Sequence, residues 1–132
     1  MTQIKPPITF WVIAIIGLIW NLMGCWNYIL QTNPSVVAQM PELYRFVVEN
    51  RPSWATAGFA VSVFAGATGA ILLLLRRRVA LPVFIISMLG TIVIFYFTFR
   101  VLGLDATTFS ALLMSAALTG FAVVSQQRKW IT

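Results

Sequence analysis

The residues best placed to do chemistry are few, and they lie along the first apolar run and near the ends of the next two. Gly17, Asn21, Gly24 and Tyr28 are spaced by four, three and four, so on a helix they form one stripe of small and polar character. Trp20 and Trp26 flank that stripe, and Asn27 lies toward its end. A buried amide in hydrocarbon is costly unless paired, so Asn21 must face other helices or a wet cavity. There Asn21 and Asn27 would offer hydrogen bonds to a solute, with Trp20 as an apolar or stacking wall. Trp54, Tyr96 and Arg100 lie separately, near the ends of the second and third apolar runs. Here the chemistry would be aromatic contact plus an anion-attracting guanidinium, and the plainer alternative is snorkelling to a membrane surface or pairing with Asp105.

Catalysis finds little support. The chain has no histidine, one cysteine and three acidic residues in all, Glu42, Glu49 and Asp105. No nucleophile has a base beside it, and no pair of carboxylates is placed for acid–base work. There is no glycine-rich phosphate loop. The single Cys25 rules out an internal disulfide and paired-thiol redox chemistry, and it reads as a small packing residue. No metal or cofactor is expected, and the chain is not expected to be an enzyme.

The elements that must position these residues are legible from composition. Of 132 residues, 60% are apolar and 9% charged, where a soluble domain carries about 25% charged residues. Such a surface belongs in lipid. The net charge of +6 therefore reads as membrane anchoring and contact with anionic lipid on the cytoplasmic face rather than as a nucleic-acid surface.

Four uncharged apolar runs, at about 8–30, 54–75, 79–99 and 106–125, are long enough to cross a bilayer as helices. The last is the least apolar and is expected to insert by packing on the other three. Lys5, Arg76, Arg77, Arg78, Arg128 and Lys129 fall on one side, and Arg45, Arg51 and Arg100 on the other. The positive-inside rule then puts both termini in the cytoplasm. Arg76, Arg77, Arg78, Arg128 and Lys129 are the topology anchors.

The expected fold is an all-α membrane protein, a single four-transmembrane-helix bundle. Its loop 31–53 carries a short amphipathic helix over 41–50, with Leu43, Phe46 and Val47 on one face and Glu42, Arg45 and Glu49 on the other. That helix would lie on the membrane with its apolar side down, or close a cavity as a lid. Gly58, Ser62, Gly66 and Gly69 in the second span, with Gly17 and Gly24 in the first, allow close helix packing within the bundle or along a homodimer seam.

The stretches L-I-W-N-L-M-G at 18–24, R-P-S-W-A-T-A-G-F-A-V-S-V-F-A-G at 51–66 and L-L-L-L-R-R-R-V-A-L-P-V-F at 72–84 resemble a family of small bacterial four-helix inner-membrane proteins, often labelled sugar transporters. The resemblance covers the first three spans and the long loop, and it points to Trp20, Asn21, Gly24, Arg51, Pro52 and Trp54. A looser similarity in size and helix count links the chain to DoxX-like proteins and to small multidrug-resistance transporters. The latter use a membrane-embedded glutamate in the first helix, and this chain has none there. The function expected is a small-solute transporter-like protein working as a homo-oligomer. The competing expectations are an accessory or scaffold subunit of a larger membrane complex, and a lipid-interacting protein.

Overall fold

The computed structural model of the chain describes residues 4–131. Among them the ordered elements are all helices: α1 Ile8–Gln31, α2 Pro34–Ala38, α3 Glu42–Glu49, α4 Ser53–Leu74, α5 Ala80–Leu102 and α6 Ala106–Gln127. The four long helices are long and apolar enough to cross a membrane, so the chain is a multi-pass membrane protein. Pro7 and Pro52 precede α1 and α4 in extended conformation, where a missing N–H costs nothing. Asn33 caps α2 by accepting from the Ser35 N–H at 3.0 Å, and Asp105 caps α6 by accepting from the Thr108 N–H at 3.2 Å. α5 runs three residues past the expected end at 99, because Arg100 closes the apolar run without closing the helix. Gly103, at φ 77°, stops it.

The helices pack in the order α1–α4–α5–α6. The α4–α5 seam is the tightest: a Cβ on Gly90 would lie 2.6 Å from the Gly58 carbonyl oxygen and 2.8 Å from the Ser62 nitrogen. Hydroxyl bonds reinforce it: the Ser62 and Thr91 hydroxyls are hydrogen-bonded to each other at 2.6 Å, and Ser87 Oγ donates to the Ser62 carbonyl at 2.6 Å. Gly69 accommodates the Phe84 ring of α5. On the other side of α4, Gly66 receives the Asn21 amide of α1, and Val63 fills the space left at Gly24. The small residues of α1 and α4 thus serve contacts within one chain. Lipid supplies no hydrophobic drive between helices, so such close approach and hydrogen bonding carry the association.

α1 and α6 meet only toward the end of the bundle that holds the triple arginine, hereafter the arginine end. Leu118 sits over Gly17, and below it Phe10, fully buried, packs against Trp11, Phe121 and Trp130 at centroid distances of 5.1, 5.8 and 5.9 Å. Trp130 belongs to this half-buried cluster rather than standing free at an interface. The end is tied by Arg76, whose Nε donates to the Trp130 carbonyl at 2.9 Å and whose Nη2 donates to the Ile4 carbonyl at 2.7 Å. Ile4 N–H in turn donates to the Lys129 carbonyl at 2.9 Å. Arg76 and Lys129 both adopt left-handed backbone, φ 59°, and each ends its helix with the paired back-bonds of a Schellman turn. Turned to face Arg78, the Gln126 amide oxygen accepts from its Nε at 3.1 Å and its Nη2 at 3.0 Å. Arg77, Arg128 and Lys129 are exposed.

Two predictions follow from this packing. Gly90→Ala should destabilise the protein by about 1–3 kcal/mol, since its new methyl meets backbone that cannot yield. Gly120→Ala, with nothing within 4 Å of its Cβ, should be neutral or stabilising by up to about 1 kcal/mol. Denaturant unfolding in micelles would compare the two; equal losses would mean that the α4–α5 seam is looser than described. Arg76→Ala removes charged hydrogen bonds to two carbonyls at a half-exposed site and should cost about 1–3 kcal/mol, whereas Arg77→Ala should stay within about 0.5 kcal/mol. Proteolysis of both termini, faster in Arg76→Ala alone, is the accompanying readout.

Candidate functional site

Because α1 and α6 are joined at the arginine end and diverge beyond Leu118, the bundle encloses a wedge-shaped cavity of about 660 Å³ in its other half. This lies within the range of about 300–1,000 Å³ typical of small-molecule sites. Phe84, Leu118 and Asn21 form the floor. One wall is the hydroxyl row of α5, Ser87, Thr91 and Thr98, and the opposite wall is α6 through Ser110, Ala111, Met114 and Ser115.

The roof is α3 and its flanks, through Met40, Tyr44, Val47, Val48 and Arg51. Val47 is buried, while Leu43 and Phe46 are more than half exposed. The apolar face expected from 43, 46 and 47 is therefore rotated: positions 44, 47, 48 and 51 face the cavity, and Leu43 and Phe46 point away from the bundle. Both faces of this helix carry apolar side chains, so periodicity alone could not choose between them.

Of the residues singled out from sequence, the structure brings Trp20, Asn21 and Asn27 to the cavity. Asn21 is buried. Its Nδ2 donates to the Gly17 carbonyl at 2.8 Å, so the side chain is fixed and its amide oxygen lies against Gly66. Trp54, Tyr96 and Arg100 do not reach the cavity. They form their own cluster on the outside of α4 and α5, all exposed, with the Arg100 guanidinium donating to the Tyr96 hydroxyl at 3.0 Å and Trp54 edge-on to Phe97 at 5.8 Å. No ion pair joins Arg100 to Asp105 among the described residues.

Arg51 is a cavity residue to which the resemblance alone pointed. Read from charge and spacing it is one more cation bounding a span. In the fold its guanidinium lies over the Phe59 ring at 5.2 Å and donates one bond, Nη2 to Gln31 Oε1 at 3.0 Å. Its Nε is buried without a hydrogen-bond partner, and no carboxylate pairs with it among the described residues. Burial pushes the Arg51 pKa below its usual range while neighbouring Tyr28 opposes the shift, and an arginine so perturbed still keeps its charge. The signal that could have found it is the short tether: Pro52 and Ser53 start α4 directly after it, so Arg51 cannot swing clear of the helix mouth.

Ser115 Oγ is the second buried group without a partner. It stands on the α6 wall, and Thr119 donates at 2.8 Å to the Ser115 backbone carbonyl rather than to this hydroxyl. The cavity thus combines mostly apolar walls with a cation at the roof, and two of its lining residues, Arg51 and Ser115, each keep a buried polar atom without a partner. It holds no cluster of side chains suited to a metal among the described residues.

An unpartnered buried hydroxyl costs stability, so Ser115→Ala should raise the stability of the unliganded protein by about 1 kcal/mol. A thermal melt showing a loss of that size instead would mean that Ser115 is already satisfied, by water or by a resident molecule. Comparison with protein families, with curated proteins and with solved structures finds no match for the chain, so the cavity is interpreted from its own geometry.

Proposed function

We propose that the chain is a transporter-like membrane protein that binds a small solute in the cavity between its four spans. The observation that carries the proposal is a largely apolar cavity of about 660 Å³ whose lining includes one arginine, Arg51, and the hydroxyl-bearing residues of α5 and α6. A bundle that served only as a scaffold would gain by filling that space with side chains. The resemblance of the first three spans to small inner-membrane proteins labelled sugar transporters agrees with this assignment.

In this reading the chain lies in a bacterial inner membrane with its arginine end in the cytoplasm and the α3 roof outside, an orientation that the charge asymmetry between the two ends supports. The cavity then opens on the extracytoplasmic half, and the aromatic plug of Phe10, Phe121 and Trp130 is the barrier to the cytoplasm. Passage of a solute would require that plug to part, either within one chain or between copies in a homo-oligomer. The alternative, an accessory subunit of a larger complex, draws on the exposed groove of α1 lined by Ile19, Leu22, Met23 and Trp26, where a partner helix would seat.

Native mass spectrometry of the protein gently extracted from its own membranes separates the two. The expected result is a reproducible small-molecule adduct of one per chain. It should vanish in Ala111→Trp, whose indole takes up about half of the cavity from the α6 wall. Absence of any adduct, together with stable co-purification of unrelated subunits, would remove the transporter-like reading and favour the accessory one.

A further inference from the structure

The cavity has a second opening, toward the side. α1 and α6 separate beyond Gly17 and Leu118, and the residues at the resulting gap belong both to the cavity lining and to the outer surface. On α1 these are Trp20 and Met23, which are 39% and 60% exposed; on α6 they are Thr107 and Ser110, also exposed. All four stand on membrane-spanning helices, so what lies outside this gap is the acyl region of the bilayer. A molecule dissolved in lipid reaches the cavity without crossing water.

The interior fits such a molecule in size and in polarity. A water molecule takes up about 30 Å³ in the liquid, and a methylene takes up nearly as much. At 660 Å³ the cavity therefore holds roughly twenty non-hydrogen atoms, enough for one acyl chain with a compact head and too few for a two-chain phospholipid. Phe59, Phe84, Ile94, Met114 and Leu118 provide apolar contact along its length.

Among the described residues that line the cavity the one cation is Arg51, at the roof and over the Phe59 ring. Its guanidinium spends one bond on Gln31, no carboxylate among the described residues neutralises it, and its planar fork of donors suits a carboxylate. Asp105 also borders the cavity, with one carboxylate oxygen engaged by the Thr108 N–H. Its charge opposes a head carrying more than one negative charge.

We propose that the solute is a single-chain amphiphile with a monoanionic carboxylate head, which enters from the bilayer between α1 and α6 and seats its carboxylate on Arg51. This rests on the solute-binding reading above and specifies the class of molecule. The chain lies along the Phe59–Phe84–Leu118 side of the cavity, and α3 closes over the head. Trp20 and Met23 border the entry.

The test uses the full chain in phosphatidylcholine nanodiscs, titrated with dodecanoate, dodecyl phosphate, dodecyltrimethylammonium and dodecanol and read by native mass spectrometry. Dodecanoate should bind one per chain, at least tenfold more tightly than the alcohol or the cation. Arg51→Gln should bring dodecanoate down to the level of dodecanol, Arg51→Lys should retain most of the preference, and Arg100→Gln, outside the cavity, should leave it unchanged. If Arg51→Gln does not fold, the ranking of the four probes on the unaltered chain decides by itself. Equal binding of all four would overturn the proposal, and tighter binding of dodecyl phosphate would overturn the carboxylate assignment. Failure of all four, while the native adduct is still seen and still lost in Ala111→Trp, would overturn the amphiphile and leave the solute cavity standing. Failure of both would remove the cavity reading itself.

Discussion

The close approach of α4 and α5 at Gly58, Ser62 and Gly90 is the constraint on which the rest of the bundle depends. Two helices that touch backbone to backbone leave no room between them for a ligand, so any open volume must lie beside the pair. α1 adds to one flank by fitting the Asn21 amide against Gly66, and α6 adds to the other by packing on α5. These flanking helices are joined directly only near the arginine end, by Leu118 over Gly17 and by the Phe10 cluster. A rigid central pair with two arms tied at one end makes a wedge, and the wedge is the cavity.

The tie itself explains why the triple arginine does more than orient the chain. Arg76 holds the carbonyls of Ile4 and Trp130, which brings the segments before α1 and after α6 to the same turn between α4 and α5. A left-handed residue other than glycine is strained by about 1–2 kcal/mol, and the hydrogen bonds of its guanidinium offset that. A charge that sequence reading assigned to the membrane surface therefore closes the floor of the bundle, and Arg77 remains the freely exposed member of the three.

The four spans were legible because uncharged runs of that length have one low-energy fate in lipid. The site was legible in part. Trp20, Asn21 and Asn27 reach the cavity, since a polar side chain within a span must find protein or water. The same rule could not rank the other polar residues, because most satisfy themselves locally: Thr91, Thr119 and Ser125 each donate to a carbonyl four residues back. Trp54, Tyr96 and Arg100 misled because aromatic rings and a cation at a span end look alike at a ligand mouth and at a lipid interface. Arg51, to which the resemblance pointed, was not legible from the residues alone: its tether to Pro52 fixes it inward, and neither periodicity nor charge count registers a tether.

In soluble cores an enclosed void costs about 24 cal/mol per Å³. A cavity of about 660 Å³ that opens to its surroundings escapes that cost, because water from above or chains from the bilayer can enter it. Water suits the Arg51 guanidinium and leaves the aromatic side unmatched, while a lipid tail alone suits the aromatic side and leaves the Arg51 charge without a counter-ion. The occupant proposed above, with an apolar body and one anionic head, would match both.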